Sequence, residues 1–150
     1  MTAAAIFDGS RRRFYYAGLG EGAYVDGRPL KVAPQREFPK CFLVTGFYYH
    51  KGRALEFEVQ RFHRVAEQCQ SIRRDGAAAL DLALVAEGIY DAFWETGLKP
   101  WDVAAGSLLV SEAGGAVRNY QEIGGKPYDI EGEGVIAGSP AAVQTLAKLL

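Results

Sequence analysis

The sequence predicts an α/β protein: a mostly parallel sheet flanked by helices, preceded by antiparallel β-hairpins. Three observations carry this expectation. From residue 41 onward, short apolar runs alternate with segments of helical period, the pattern of a sheet covered by helices on both faces. Before residue 34, short aromatic-rich runs are separated by tight turns with no helix among them, the pattern of hairpins. The 150 residues are 49% hydrophobic and 23% charged, which is an ordinary globular composition. The expected division is residues 1–33 for the hairpins and 34–150 for the α/β unit.

Composition also narrows the partners. A net charge of −1 gives no reason to expect nucleic acid or an anionic membrane. Arg11-Arg12-Arg13 sits beside a turn and reads as a solvated tip. Cys41 and Cys69 match no metal or redox spacing and read as reduced thiols. Met1 to Ala5 is too short for a signal peptide, and no apolar run approaches the ~20 residues of a membrane span. These features set the expectation of a cytoplasmic protein.

In chain order, Ala3 to Phe7 is a short apolar strand, Asp8-Gly9-Ser10-Arg11 a turn, and Arg13 to Ala17 a second strand. Gly18-Leu19-Gly20-Glu21-Gly22 superficially matches a dinucleotide fingerprint. That motif needs a helix after it, and here Ala23-Tyr24-Val25 continues as strand, so the run is a strand connection. Asp26-Gly27 turns the chain into Arg28 to Val32, and Pro34 to Pro39 is a loop. The hairpins carry a heavy apolar load and no helix of their own to cover it.

Cys41 to Gly46 is a continuous apolar run, as expected of a strand buried on both faces. An aromatic loop, Phe47-Tyr48-Tyr49-His50, follows. Arg53 to Gln70 has helical period, with Leu55, Val59, Phe62, Val65, Ala66 and Cys69 on one face. His63 lies next to that face with no acidic partner in reach, and reads as a surface side chain. Ser71 to Arg74 is a short strand and Ala77 to Ala86 a second helix, ended by Gly88. Ile89 to Glu95 alternates as a strand.

Pro100 forbids a continuing helix before it, and Asp102 is placed to cap the next helix start. Val103, Ala104, Leu108, Val110 and Ala113 give that helix apolar surface, and Gly114-Gly115 gives a left-handed stop. Ala116 to Tyr120 is a strand, residues 121–133 a Gly-rich acidic loop, and Val135 to Gly138 a buried strand. Ser139-Pro140 then opens a final helix to Leu150.

Open α/β sheets bind ligands at the carboxyl ends of their strands, beside helix N-termini. Asp102, Glu95 and the Gly76-Ala77-Ala78 segment all converge there. Asp102 is a carboxylate at the positive end of a helix dipole. Glu95 ends the preceding strand. Gly76-Ala77-Ala78 opens a helix whose free N–H groups suit an anion. Together they describe a pocket for a polyol phosphate.

Trp101-Asp102-Val103-Ala104-Ala105-Gly106, followed by Glu112-Ala113-Gly114-Gly115, resembles the C-terminal signature of the inositol monophosphatase family of Mg²⁺-dependent phosphatases. The resemblance runs from Ala4 to Leu150 and covers about the second half of a typical member. It implies that residues 1–33 are the end of an N-terminal sheet. It also implies that Asp102 is a catalytic Mg²⁺ ligand, that Glu95 binds a ring hydroxyl, and that Gly76, Ala77 and Ala78 contact substrate. Ala77 departs from the family pattern, which carries a hydroxyl there. A larger departure is that no Asp-Pro-x-Asp-Gly-Thr/Ser motif, the family's main source of metal ligands, occurs in these residues.

The resemblance therefore implies a phosphomonoesterase acting on an inositol or related polyol or sugar phosphate, with an incomplete Mg²⁺ site and little activity of its own. Its partner is a small phosphate ester, with no nucleic acid and no membrane, and it is expected as a homodimer or paired through its hairpins. The alternative is a non-catalytic sugar-phosphate-binding or assembly module of the same fold. Within the superfamily, fructose bisphosphatase and nucleotide phosphatase are the further alternatives.

Overall fold

A computed structural model describes residues 1–47, 51–120 and 128–150. Tyr48, Tyr49 and His50 of the aromatic loop, and residues 121–127 of the acidic loop, lie outside the described residues.

The hairpins form a four-stranded antiparallel sheet in chain order: β1 (Ala3–Asp8), β2 (Arg13–Gly18), β3 (Gly22–Val25) and β4 (Arg28–Pro29). Asp8 closes the first turn, accepting hydrogen bonds from the backbone N–H groups of Ser10 and Arg11, the Ser10 hydroxyl and the Arg11 guanidinium. The glycine run joins β2 to β3 directly, as the sequence predicts. Its Gly20 and Gly22 N–H groups are held by the two carboxylate oxygens of Glu112, each at 3.0 Å.

The second sheet contains β5 (Phe42–Thr45), β6 (Ser71–Arg73), β7 (Ala92–Glu95), β8 (Ala116–Arg118) and β9 (Val135–Gly138), in the order β6-β5-β7-β9-β8. The α/β class expected from the sequence holds, and the sheet is mixed. Strands β6, β5 and β7 pair in parallel, while β9 is antiparallel to both β7 and β8. Four strands thus share one direction and β9 alone opposes them. Strand β7 is shorter than expected because Gly88, Ile89 and Asp91 form a turn in front of it. There the Asp91 carboxylate accepts from the Phe42 N–H at 2.7 Å and pairs with Arg36 at 3.0 Å.

Among the described residues there are four α-helices: α1 (Arg53–Ala66), α2 (Ala78–Ala86), α3 (Pro100–Glu112) and α4 (Pro140–Leu149). Helices α2 and α3 lie between the two sheets. Tyr15, Ala17, Ala23 and Val25 of the hairpins share one core with Leu82, Val85, Val103 and Leu109 of the helices and with Val44 and Phe93 of the second sheet. The hairpins are therefore covered on their inner face, by helices supplied from later in the chain. The opposite face of the second sheet (Leu43, Ala92, Trp94 and Ile136) packs against Val65 of α1 and against Val143 and Leu146 of α4.

This layering explains α2. Residues Asp81 to Ala86 are all buried, as a helix that is apolar all round must be when covered from both sides. Helix α3 meets it closely. A Cβ on Gly106 would overlap the side chain of Leu82.

Helix α1 departs from its expected face. Leu55 is 38% and Val59 51% exposed, whereas Glu58 is buried. The helix is turned so that Val65, Phe62 and Glu58 face inward, because α4 and Trp94 meet only that side. His63 is at the surface as expected, but it does have an acidic neighbour: Glu67 one turn on, at 3.7 Å. Ser139 occupies the N-cap of α4 without a side-chain cap bond, its carbonyl receiving the Val143 N–H. Both cysteines are free, and burial pushes the Cys41 thiol up to about 11.

Candidate functional site

The register of the parallel ladders brings three strand ends level. Val44 pairs with Arg73 and Thr45 with Trp94. One step further along, Gly46, Glu95 and the Arg74-Asp75-Gly76 turn emerge together at the carboxyl edge of the sheet. Thr45 fastens this edge by donating its hydroxyl to the Trp94 carbonyl at 2.6 Å.

Glu95 is half-buried and seated against Gly46, where any Cβ would overlap its carboxylate. Burial pushes the Glu95 carboxyl up to about 7. Arg74 opposes that rise, and the charges of Asp102 and Glu58 add to it. At neutral pH this group is poised between accepting and donating a hydrogen bond.

Asp102 stands in front of that edge, on the first turn of α3. It is not the N-cap that the sequence suggests. Lys99 takes that position, because Pro100 is preorganised for the first helical residue and starts the helix earlier. Asp102 is the third helical residue and reaches back, accepting the Lys99 N–H at 2.9 Å. The carboxylate remains at the positive end of the helix, partly exposed. Gly114 gives the stop at the other end, with φ of +82°.

Gly76 has φ of +88° with open space where a side chain would be. Ala77 is the N-cap of α2 and Ala78 its first residue. Having no side-chain cap, this helix start leaves its first N–H groups for a ligand or water.

The structure also brings in residues that the sequence reading passed over. Asp81 is 1% exposed, and neither of its carboxylate oxygens has a hydrogen-bond partner among the described residues. Burial pushes its carboxyl up to about 7, with Asp75 and Glu95 adding to the rise. The signal that could have found it is a single Asp inside an otherwise apolar helix. Asp75 accepts the Tyr90 hydroxyl at 2.6 Å. Glu58, 6% exposed, accepts from the Thr96 hydroxyl and from Arg61, both at 2.8 Å. No pattern in the sequence marks Glu58, which lies on what reads as the solvent face of α1.

Mg²⁺ takes near-octahedral oxygen coordination. Among the described residues no group of three or more His, Cys, Asp or Glu side chains is placed to hold a metal ion. One oxygen of Asp102 already accepts a backbone hydrogen bond. The donor set on the described residues does not fit the ion by itself.

A carboxylate pair and an open helix start lie together at the carboxyl edge of a mixed α/β sheet, the place where open α/β sheets bind ligands. The model of the inositol monophosphatase family matches residues 1–150, and the chain belongs to that family. It is 38% identical to the Nus factor SuhB of Escherichia coli (strain K12) over 143 residues, 95% of this chain and 52% of that protein. It is 34% identical to an inositol-1-monophosphatase of Synechocystis sp., over 99% of this chain and 51% of the relative. The crystal structure of the extragenic suppressor protein suhB from Bartonella henselae superimposes with a TM-score of 0.91 at 33% identity, covering 99% of this chain and 55% of that one. The chain thus spans about half the length of the curated relatives it matches.

Proposed function

We propose that this chain is the substrate-orienting half of a phosphomonoesterase acting on an inositol or related polyol or sugar phosphate. The observation that carries the reading is Glu95, seated on Gly46 at the sheet edge, with Asp102 and the open start of α2 beside it. In this reading the N–H groups after Gly76 bind phosphate oxygens, and Glu95 exchanges a hydrogen bond with a ring hydroxyl. Asp102 contributes one carboxylate to a Mg²⁺ site whose other ligands lie beyond those described here. Mg²⁺, when bound, would supply Lewis-acid activation of the phosphoryl group.

Two measurements test this. The purified chain is expected to bind inositol 1-phosphate while hydrolysing it far more slowly than a full-length relative. Robust Mg²⁺-dependent turnover by the 150-residue chain would overturn the half-site reading. Asp102→Ala is expected to cost about 1 kcal/mol of stability through the lost helix-start bond, and to abolish any Mg²⁺ effect on ligand binding. A Mg²⁺ effect that survives the change removes Asp102 as a ligand.

A second reading, an assembly module without chemistry, is favoured by a different observation. Phe14, Tyr16 and Tyr24 stack in a row on the outer face of the hairpin sheet, at 5.8 and 5.4 Å between ring centroids. Phe7 is 62% exposed beside them, and β1 is an edge strand. Such a face invites pairing, with a second copy as the expected partner. Several relatives also bear the name Nus factor rather than phosphatase.

A further inference from the structure

A cleft of about 450 Å³ opens beside Glu95, between α1, the β7–α3 connection and residues 131–134. That is more room than a single six-membered polyol ring fills, and it falls within the range of small-molecule sites. One wall is built. Buried Glu58 holds the Thr96 hydroxyl on one side and the Arg61 guanidinium on the other. Arg61 in turn lies over the Tyr120 ring at 5.1 Å. The Tyr120 hydroxyl is buried with no hydrogen-bond partner among the described residues. A buried, unsatisfied phenol is costly, and a ligand that accepts from it relieves that cost.

The charges lining the cleft decide what it can take. Glu58, Glu131 and Glu133 face Arg61 and Lys99, and Arg61 is already paired with Glu58. Among the described residues, a second phosphate entering here would meet Glu131 and Glu133 against Lys99, so an anionic group is disfavoured. Hydroxyl groups suit both signs, donating to the glutamates and accepting from Lys99. Phe57, 59% exposed, offers a ring face for the C–H surface of a sugar.

We propose that this cleft takes an uncharged, hydroxyl-rich group carried beyond the phosphorylated ring, so that the substrate is a monophosphate ester of a glycosylated polyol rather than a bisphosphate. The proposal rests on the reading of Glu95 and Asp102 as the phosphate-ester site. It adds Glu58, Phe57 and Lys99 as residues that set specificity. None of them is among the motif residues that carry the family resemblance in the sequence.

The test is amide chemical-shift titration of the full 150-residue chain with three probes: inositol 1-phosphate, the neutral galactosyl-inositol galactinol, and fructose 1,6-bisphosphate. Galactinol is expected to shift residues 96–99 and 131–134. Phe57→Ala, at a largely exposed position, is expected to weaken galactinol about tenfold. Glu58→Gln, which keeps the side-chain shape, is expected to weaken it similarly. Fructose 1,6-bisphosphate moving the cleft residues at lower concentration than galactinol overturns the proposal. If inositol 1-phosphate moves residues 76–78 and 95 while galactinol leaves the cleft unmoved, the cleft proposal alone falls. If inositol 1-phosphate leaves residues 76–78 and 95 unmoved, the site reading falls and takes the cleft with it.

Discussion

Asp81 sits in the middle of α2 with neither carboxylate oxygen bonded among the described residues, and burial, the cause of its raised pKa, makes its charge a cost. Its pKa rises from the ordinary 3.8 to about 7. The folded chain therefore keeps a proton that the unfolded chain releases. Stability must fall as pH rises from about 4 to about 7 and stay low above that range. Glu95, also raised to about 7, adds to the same trend. Asp81→Asn is expected to stabilise the protein by about 2 kcal/mol near pH 8 and to change little near pH 4. Urea unfolding at the two pH values checks this, and an equal effect at both would mean that the carboxyl is charged and satisfied throughout. Glu87 works in the opposite sense. Despite burial, its bonds to Arg13, Tyr15 and Arg28 hold its carboxyl below the ordinary 4.5, so its contribution is present above that value and is lost as pH falls.

At the scale of elements, two contacts hold the layers in register. Glu87, just past the end of α2, takes both Arg13 nitrogens at 2.9 and 2.7 Å, the Tyr15 hydroxyl at 2.9 Å and Arg28 at 2.6 Å. This ties the helix to the hairpins. Glu87→Ala leaves the Tyr15 hydroxyl without its acceptor and the half-buried Arg13 with only the longer contact to Asp26 at 3.8 Å, and is expected to cost about 3 kcal/mol in chemical denaturation. Where α2 meets α3, Gly106→Ala places a methyl group on Leu82 and is expected to cost about 1–3 kcal/mol. Gly46→Ala tests function instead: by displacing the Glu95 carboxyl, it should weaken inositol 1-phosphate binding more than it lowers stability. The existence of these elements was legible in the sequence, since strand and helix periods are local. The facing of α1 was not. Its apolar stripe reads as the buried side, yet only the positions that α4 and Trp94 reach are covered.

The whole molecule is four layers, hairpin sheet, helix pair, mixed sheet and helix pair, with the first three sharing one core. Unfolding is expected as one cooperative transition in which fluorescence and circular dichroism coincide. A hairpin sheet melting by itself would contradict the shared core. The outer aromatic row gives the corresponding association prediction. If this face pairs two copies, sedimentation should show concentration-dependent dimers that Phe14→Lys, on the exposed side of β2, disperses. Of the site, Asp102, Glu95 and Gly76 were legible because helix starts and strand ends carry local signatures. Asp81 and Glu58 were not, because whether a carboxylate is buried depends on which distant elements close over it.

The sequence by itself determined the α/β class, the hairpins, the helix stops at Gly88 and Gly114, and the family signature around Asp102. These follow from periodicity, turn chemistry and motif spacing within a few residues. Only the tertiary structure decided that β9 runs against its neighbours, that α2 and α3 are enclosed between two sheets, and that Glu58 lines a cleft beside Glu95. Each depends on contacts between residues far apart in the chain, where burial is set by what covers a residue and not by its neighbours in sequence.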